Sequence, residues 1–425
     1  MIYDIIIIGA GAAGLFAGAS LPSPQNGLIL EKSASPGKKL LLSGGGQCNI
    51  THNGSIKDFI LHYGDHGKKI RSVLYRFNNQ SVMDFFAGHQ FPLFEREDGK
   101  VFPSSLKAQD VLDLLLNCCN NNGITILYNS PVTKISYRED TSSPVYTVSC
   151  DGNQYMTRKL VVAAGGCSYP ATGSDGSLLS VLKELDIELV PSRPSLMPVY
   201  VQDYPYGNLS GISFSSARIT LYDSFKGDHQ MASSFSDSKI AENTDALLFT
   251  HSGFSGPGIL NISRYAEKGQ QLSINYYPKK NRDAILKDLT KAIPGNKKQL
   301  LTVLYEYFNK EISASPAELP YRFLESVCLR CQLNTQQKYS QISGSQLKSL
   351  VSILTEDTFL INRLGGFETA MATAGGVSLD EVNLKTLESN KYPNLFFAGE
   401  ILDVDGDTGG YNLQFAFSSG YLAAQ

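Results

Sequence analysis

What this 425-residue chain lacks already narrows its function. It has no apolar run approaching the ~18 residues of a membrane span, which argues against an integral membrane protein. It has no large excess of either charge: 37 Lys and Arg against 40 Asp and Glu leave a net charge of −3. Wholesale electrostatic attachment to nucleic acid or an anionic bilayer is therefore disfavoured, although a local basic patch is not. Its seven cysteines are an odd, scattered set that forms no disulfide framework and suits a reducing compartment. No basic leader precedes an apolar segment, and no internal repeat or low-complexity tract stands out, so a cytoplasmic location is the expectation. Hydrophobic content of 42% and charged content of 18% describe globular material. The length exceeds the ~250–300 residues at which one core stops growing, which predicts two or three domains.

The first fourteen residues, Met1 to Gly14, organise the rest. Ile2, Tyr3 and Ile5 to Ile8 form a β-branched and aromatic run broken only by Asp4, the pattern of a strand buried on both faces of a parallel sheet. Gly9-Ala10-Gly11-Ala12-Ala13-Gly14 follows directly. In this G-x-G-x-x-G spacing the first glycine makes the tight turn, the second lets a pyrophosphate approach the backbone, and the third lets helix pack on strand. The phosphates then sit on unpaired N–H groups at the positive end of the helix dipole. A glycine pattern alone is a weak signal, since such turns also close ordinary βαβ units. Its context is stronger: a helix from Ala12 to about Leu21, a turn from Pro22 to Gly27, a second strand Leu28-Ile29-Leu30, and then Glu31. An acid at that strand tip is where a carboxylate bonds the ribose hydroxyls of an adenine dinucleotide.

Leu40-Leu41-Leu42 leads into Ser43-Gly44-Gly45-Gly46-Gln47-Cys48-Asn49, a loop whose backbone can approach a ligand closely. Cys48 has no cysteine near it before Cys118 and Cys119, so a buried, inert thiol is expected rather than dithiol chemistry. Residues 56–120 are expected to be mainly helical. Ile124 to Tyr128 reads as a buried strand, and Val132 to Tyr137 with Tyr146 to Cys150 as a small meander. An apolar strand from Lys159 ends in Ala163-Ala164-Gly165-Gly166, small residues that can abut a cofactor without obstruction. The polar loop Cys167 to Gly176 and a helix around Leu178 to Leu185 follow.

Pro191, Pro194 and Pro198 mark a linker, and Val199 to Tyr277 alternates as antiparallel strands do. Within that segment Thr250-His251-Ser252-Gly253 ends a strand. His251 is a candidate acid, base or substrate contact, set against the ordinary structural role of a lone histidine. Pro278 to Leu354 reads as helical. Its basic run, Lys279, Lys280, Arg282, Lys287, Lys291, Lys297 and Lys298, is either a solvated helix face or a nucleic-acid patch. Cys328-Leu329-Arg330-Cys331 lacks a second pair and is not expected to bind metal or act as a redox dithiol. Strand character returns at Phe359 to Ile361 and Ala370 to Val377. Finally, Asn394 to Glu400 is an apolar strand ending in Gly399-Glu400, and Thr408-Gly409-Gly410-Tyr411-Asn412-Leu413-Gln414 opens a terminal helix. That order suits a flavin: a strand-end carboxylate for ribitol hydroxyls, then a helix N-terminus whose positive potential stabilises the anionic reduced ring.

Gly9-x-Gly11-x-x-Gly14, Lys38 to Asn49, Thr250 to Pro257, Thr373 to Val377, and Ala398 to Glu400 through Gly409 to Gln414 together resemble one family over nearly the whole chain. It is the group of bacterial BaiN-like or aminoacetone-oxidase-like NAD(P)/FAD-dependent oxidoreductases. The SGGGxCN and GGYNLQ segments are far more specific than the glycine fingerprint. The resemblance implies an α/β architecture, with a two-dinucleotide-binding, Rossmann-like FAD domain built from both chain ends (1–192 and 375–425). An inserted β-barrel domain (193–277 and 355–374) and a small helical domain (278–354) complete it. The FAD site expected from these segments begins with Gly9, Gly11, Ala12, Ala13 and Gly14, then Glu31 and Lys32. It continues with Lys39, Ser43, Gly44, Gly45, Cys48 and Asn49, then Val132, Ala164 and Gly165. It ends with Gly399 and Glu400, then Gly410, Tyr411, Asn412 and Leu413. One departure is Gln47, where the family usually carries arginine.

Family members have been assigned the reduction of steroid-like enones, the oxidation of aminoacetone and the reduction of a uridine in ribosomal RNA. The implied activity is FAD-dependent hydride transfer through flavin N5, in an NAD(P)H-fed reductase of an activated double bond or an oxidase of a small amine. Two alternatives stand beside it: a reductase of uridine in structured RNA docked on the basic helical insert, and a non-catalytic flavin redox sensor. No second strand-associated G-x-G-x-x-G is present, so NADPH or NADH is expected to bind transiently over the flavin. Catalytic candidates for that cleft are His251, Tyr411 and Tyr169. A small molecule is the expected partner, with no metal and no membrane.

Overall fold

The computed structural model describes residues 2–139, 145–223, 238–310 and 318–425. Met1 of the opening stretch, 224–237 of the expected barrel and 311–317 of the expected helical segment lie outside the described residues. The chain divides into two compact units, Met1–Ser195 with Phe367–Gln425, and Leu196–Gly366.

The first unit is built on a seven-stranded sheet. At its centre Ile2–Ile8 runs parallel to Gly27–Leu30 on one side and to Asn153–Val162 on the other, and Ile124–Leu127 extends the sheet beyond Gly27–Leu30. Alternate isoleucines serve opposite faces, because side chains of a strand alternate. Ile5 and Ile7 enter a core with Phe16, Leu115 and Cys119, whereas Ile6 and Ile8 enter another with Leu28, Leu160 and Phe397. Burying each such side chain is worth about 1.5–3 kcal/mol, which is why this run reads as unbroken hydrophobicity. Asn153–Val162 shares its far edge between two partners. Val145–Cys150 is antiparallel along its first half, and Leu395–Phe397 is parallel along its last three residues. Val132–Arg138 pairs antiparallel with Val145–Cys150.

One expectation is corrected here. Pro191 and Pro194 do not form a linker; they lie in strand Leu189–Ser195, antiparallel to Ala372–Val377, with a register irregularity between Val190 and Arg193. A two-stranded sheet has only edges, so a proline's missing N–H need not cost a ladder bond. That pairing also carries Ala372–Val377 into the first unit, which resumes at Phe367. Residues 56–120 are mainly helical, as expected, with one interruption by strands. Between Asn79–Gly88 and Ala108–Asn121 the chain forms a hairpin of Leu93–Glu95 and Lys100–Pro103, paired in turn with Thr51–His52. Its turn uses Asp98-Gly99, with Gly99 at φ +80°, the dipeptide chemistry that favours such reversals.

The second unit contains a closed six-stranded antiparallel barrel: Val199–Val201, Gly253–Ser255, Lys239–Phe249, Ser213–Tyr222, Gln271–Asn275 and Asp357–Leu364. Helices Arg282–Lys291, Leu300–Phe308, Tyr321–Arg330 and Gly344–Thr355 share one hydrophobic core with it. Phe323, for example, packs 4.9 Å from Phe214 and 4.6 Å from Tyr276 between ring centroids. Buried Asp357 accepts hydrogen bonds from Arg330, Tyr206 and Tyr276, tying helix to barrel.

Candidate cofactor site

Four parallel strands of the first unit end together at Ile8, Leu30, Val162 and Phe397. Backbone bonds lock the residues that leave them: Gly9 N–H to Leu30 O (2.9 Å), Ala163 N–H to Ile8 O (2.8 Å) and Ala398 N–H to Val162 O (2.9 Å). Ligands of open α/β sheets bind at this carboxyl edge.

The three fingerprint glycines have three different surroundings. Gly9 has φ +102°, and a Cβ there would meet the Ala163 carbonyl oxygen at 2.5 Å. A Cβ on Gly14 would fall 2.0 Å from the Gly9 carbonyl oxygen, so the contact of Ala12–Ala19 with the turn needs glycine. Gly11 has nothing within 4 Å of its Cβ position, and no side chain caps the helix that begins behind it. Ala12 and Ala13 are the first residues of that helix. Glu31 is buried; one carboxylate oxygen accepts the Ala10 N–H and the other the Ser33 N–H, both at 2.7 Å. Each oxygen keeps acceptor capacity. Lys32 pairs with Asp175 at 2.5 Å. The chain after Ile124–Leu127 bonds back to this corner through Ser130 N–H to Glu31 O (2.8 Å), and half-buried Val132 follows.

Lys38–Leu42 is a short helix, and Ser43–Gly46 continues as a 3₁₀ turn in which Gly44, Gly45 and Gly46 all have positive φ. Around Gly45 nothing lies within 4 Å of a Cβ position. Gln47 is exposed. Cys48 is fully buried, and burial pushes its thiol up to about 12. Beside it Asn49 is 9% exposed, and its Oδ1 has no hydrogen-bond partner among the described residues. Ala164 and Gly165 are half-buried at the end of Asn153–Val162, where a Cβ on Gly165 would touch the Ser174 hydroxyl at 2.8 Å. That hydroxyl is buried and has no hydrogen-bond partner among the described residues. Tyr169 is half-buried in the same loop in a left-handed conformation, its N–H bonded to Phe367 O (2.9 Å).

Gly399 bonds through its N–H to the Ser419 hydroxyl, 2.8 Å away. Glu400 is more engaged than a ribitol ligand needs to be: Lys39, the Ser168 hydroxyl and the Thr373 N–H all donate to its carboxylate. The terminal helix Tyr411–Ala424 starts after Gly410 at φ +99° without a side-chain cap. The Asn412 side chain is committed to the backbone of Gly406 by two bonds of 2.8 Å, so it is the N–H groups of Asn412 and half-buried Leu413 that are available to a ligand. Tyr411 is 5% exposed. Its ring stacks on His62 (4.0 Å between centroids) and on His52 (5.5 Å). His251 belongs to the second unit, exposed on the turn between Lys239–Phe249 and Gly253–Ser255.

Sequence reading missed His62, whose Nδ1 lies 3.0 Å from an Asp407 carboxylate oxygen 345 residues away. No local pattern signals such a pair. Among the described residues no cluster of His, Cys, Asp and Glu is placed to hold a metal, and no helix is long and apolar enough to cross a membrane.

These residues fit a dinucleotide. Unpaired polar groups buried as deeply as Asn49 Oδ1 and Ser174 Oγ cost about 1–3 kcal/mol each, a cost that a polar ligand removes. Open space at Gly11 and Gly45, together with helix N-termini at Ala12 and Tyr411 that no side chain caps, leaves room for phosphate and ring. Such a sheet edge is that of a Rossmann-type nucleotide-binding flavoprotein, and the chain is an FAD-dependent oxidoreductase.

It belongs to the HI0933-like family, whose model, described as the HI0933-like protein Rossmann domain, matches residues 3–425. It is 30% identical to the ribosomal RNA dihydrouridine synthase of Escherichia coli strain K12, over 100% of this chain and 97% of that protein. It is 28% identical to the 3-dehydro-bile acid delta(4,6)-reductase of Clostridium scindens, over 99% of this chain and 97% of the relative. Among solved structures, the 3-ketosteroid-delta4-(5alpha)-dehydrogenase from Rhodococcus jostii RHA1 aligns with a TM-score of 0.49 and 16% identity, covering 100% of this chain and 97% of its own.

Proposed function

We propose that this flavoprotein reduces a carbon–carbon double bond conjugated to a carbonyl, with NADPH or NADH as transient donor. One observation carries the reading: two relatives that align with this chain end to end are named for unlike molecules, a ribosomal RNA uridine product and a bile acid, yet for the same bond change. In both names an alkene in conjugation with a carbonyl becomes saturated. FAD, when bound, supplies hydride exchange at N5. Gly9, Gly11, Gly14 and the N-terminus of Ala12–Ala19 would hold its phosphates, Glu31 its ribose, and Ser43 to Asn49 the neighbouring backbone. N–H groups of the terminal helix would favour negative charge on the reduced ring. Tyr169, Tyr411 and His251 are our candidates for contacts to the donor or substrate.

The test is anaerobic. NADPH or NADH should bleach the flavin absorption, and 2-cyclohexen-1-one or a uridine-containing ribosomal RNA transcript should restore it. No bleaching would exclude a nicotinamide donor; bleaching without restoration by any conjugated carbonyl would exclude the reductase. Restoration by oxygen together with aminoacetone oxidation would favour the amine oxidase instead.

The Escherichia coli relative favours a second form of this reading, in which the substrate is a uridine within RNA. The basic run offers less free charge than its composition suggests. Lys279 pairs with Glu318, Lys280 with Asp288, Arg282 with Glu356 and Lys298 with Glu306. Docking there would rest on exposed Lys287, Lys291 and Lys297. Binding to the transcript should then weaken steeply with salt; salt-independent binding would exclude that surface.

A further inference from the structure

We propose that His62 is the proton donor of this site, with Asp407 as its positioning residue; the inference rests on the reductase reading above. His62 lies in the short 3₁₀ segment Ile60–His66 and is tied to Asp407 twice: its Nδ1 faces the carboxylate at 3.0 Å, and its carbonyl oxygen accepts the Asp407 N–H at 2.8 Å. One face of the imidazole lies against Tyr411, with planes 16° apart. Tyr411 is anchored in turn, its carbonyl oxygen accepting the Tyr63 hydroxyl at 2.8 Å. Asp407 and Tyr411 bracket the Thr408-Gly409-Gly410 entry to the terminal helix, the segment assigned to the flavin. The imidazole is therefore held at the cofactor site, with one nitrogen and one face engaged.

Its remaining edge is different. Nε2 has no hydrogen-bond partner among the described residues, and 37% of the side chain is exposed. With Nδ1–H donating to Asp407, the proton that can be given or taken is on Nε2, the arrangement by which a carboxylate fixes a histidine tautomer in acid–base catalysis. His52 is built otherwise, with both ring nitrogens bonded to backbone carbonyls of Asn53 and Asp98.

Reducing a conjugated alkene needs such a group. The substrate's β carbon gains a hydride, the π pair moves to the α carbon, and a proton from Nε2 completes the second C–H bond. Two electrons pass from reduced cofactor to alkene, and the neutral imidazole regains its proton from water through its exposed edge. The titratable groups around His62 are Asp407 on Nδ1, Tyr411 on its face, neighbouring Tyr63 (whose hydroxyl burial keeps protonated), and the His66 and Asp403 pair at 3.6 Å.

The test uses the FAD-loaded full chain, photoreduced without oxygen, so that no nicotinamide is involved. Reoxidation by 2-cyclohexen-1-one should be about 10²–10⁴-fold slower in His62→Gln, the usual contribution of a general acid. Ferricyanide takes electrons without needing a proton on carbon, so its reoxidation of the variant should match wild type. Wild-type reoxidation by the enone should also slow as pH rises, a limb missing from the variant. Asp407→Glu should recover more of the rate than Asp407→Asn. Independently of turnover, diethyl pyrocarbonate followed by peptide mass mapping should modify His62 in the folded protein faster than His52. Equal enone rates in wild type and His62→Gln, a joint loss of the ferricyanide reaction, or a protected His62 would each overturn the proposal. Reduced wild type that no conjugated carbonyl reoxidises would overturn the reductase reading, and this inference with it.

Discussion

The Nζ of Lys39 lies 2.5 Å from a carboxylate oxygen of Glu400, 361 residues further along the chain. The same carboxylate accepts the Ser168 hydroxyl and the Thr373 N–H, at 2.6 and 2.8 Å. Four separate segments of the first unit thus converge on one charge. Glu400, expected from sequence as a ribitol ligand, is also the centre of a structural knot.

Lys39→Met leaves that carboxylate, only about a fifth exposed, without its cation. Leaving a partly buried charged group short of a partner costs about 1–3 kcal/mol. Urea denaturation without FAD should show that loss, and Lys39→Met/Glu400→Gln should lose less than Lys39→Met alone. Removal of a cation from the site should also make the bound flavin harder to reduce, which a spectroelectrochemical titration reads.

Gly11→Ala and Gly14→Ala should separate binding from folding. Alanine at Gly11 meets nothing within 4 Å, so Tm without cofactor should stay at the wild-type value while FAD affinity falls at least tenfold. At Gly14 the new Cβ would sit 2.0 Å from a backbone oxygen. That overpacking should cost about 1–3 kcal/mol with or without FAD.

Asn49→Leu should move stability and affinity in opposite directions. Wild-type Asn49 buries an Oδ1 that no protein group satisfies. Leucine removes that penalty, so the cofactor-free protein should gain about 1 kcal/mol. FAD should bind about tenfold more weakly, equivalent to about 1.4 kcal/mol. Loss of stability in the cofactor-free protein would show that Asn49 has a structural rather than a ligand role.

Lys159 gives stability a pH dependence of known sign. Burial pulls its ammonium down to about 8, against a weaker opposing effect of Glu388. Nζ donates to the main-chain oxygen of Gln425 and lies 4.6 Å from the Phe396 ring centre. Unfolded lysine titrates near 10.4. Between about pH 8 and that value the unfolded chain binds more protons than the folded one, so this residue's contribution to stability rises with pH. Lys159→Met should be more stable than wild type at pH 7, and the difference should shrink by pH 10 in paired denaturation curves.

What could be read without coordinates was local. The opening strand, the glycine turn, its helix and Glu31 fall within a short stretch, where spacing and periodicity carry the information. The strands ending at Val162 and Phe397 were legible for the same reason: each is an apolar run closed by small residues. Pro191 and Pro194 misled because proline signals a break unless its strand has free edges, and the partner strand, Ala372–Val377, lies far along the chain. The basic run looked unneutralised because Glu306, Glu318 and Glu356 are brought to it by a later helix, a loop and a helix–strand junction. Lys39 with Glu400 and His62 with Asp407 left no trace in the text, since pairing across hundreds of residues imposes no periodicity on either partner.

The sheet strand Leu395–Phe397 and the terminal helix Tyr411–Ala424 come from the end of the chain, yet they complete the unit that Ile2–Ile8 begins. A ribosome delivers them after the whole of Leu196–Gly366. Until Leu395–Phe397 has been made, Asn153–Val162 lacks that parallel partner in the nascent sheet, whereas all of Leu196–Gly366 is synthesised before that strand and can condense ahead of it. A chain stalled anywhere before Gly410 would carry the N-terminal glycine turn without the helix Tyr411–Ala424.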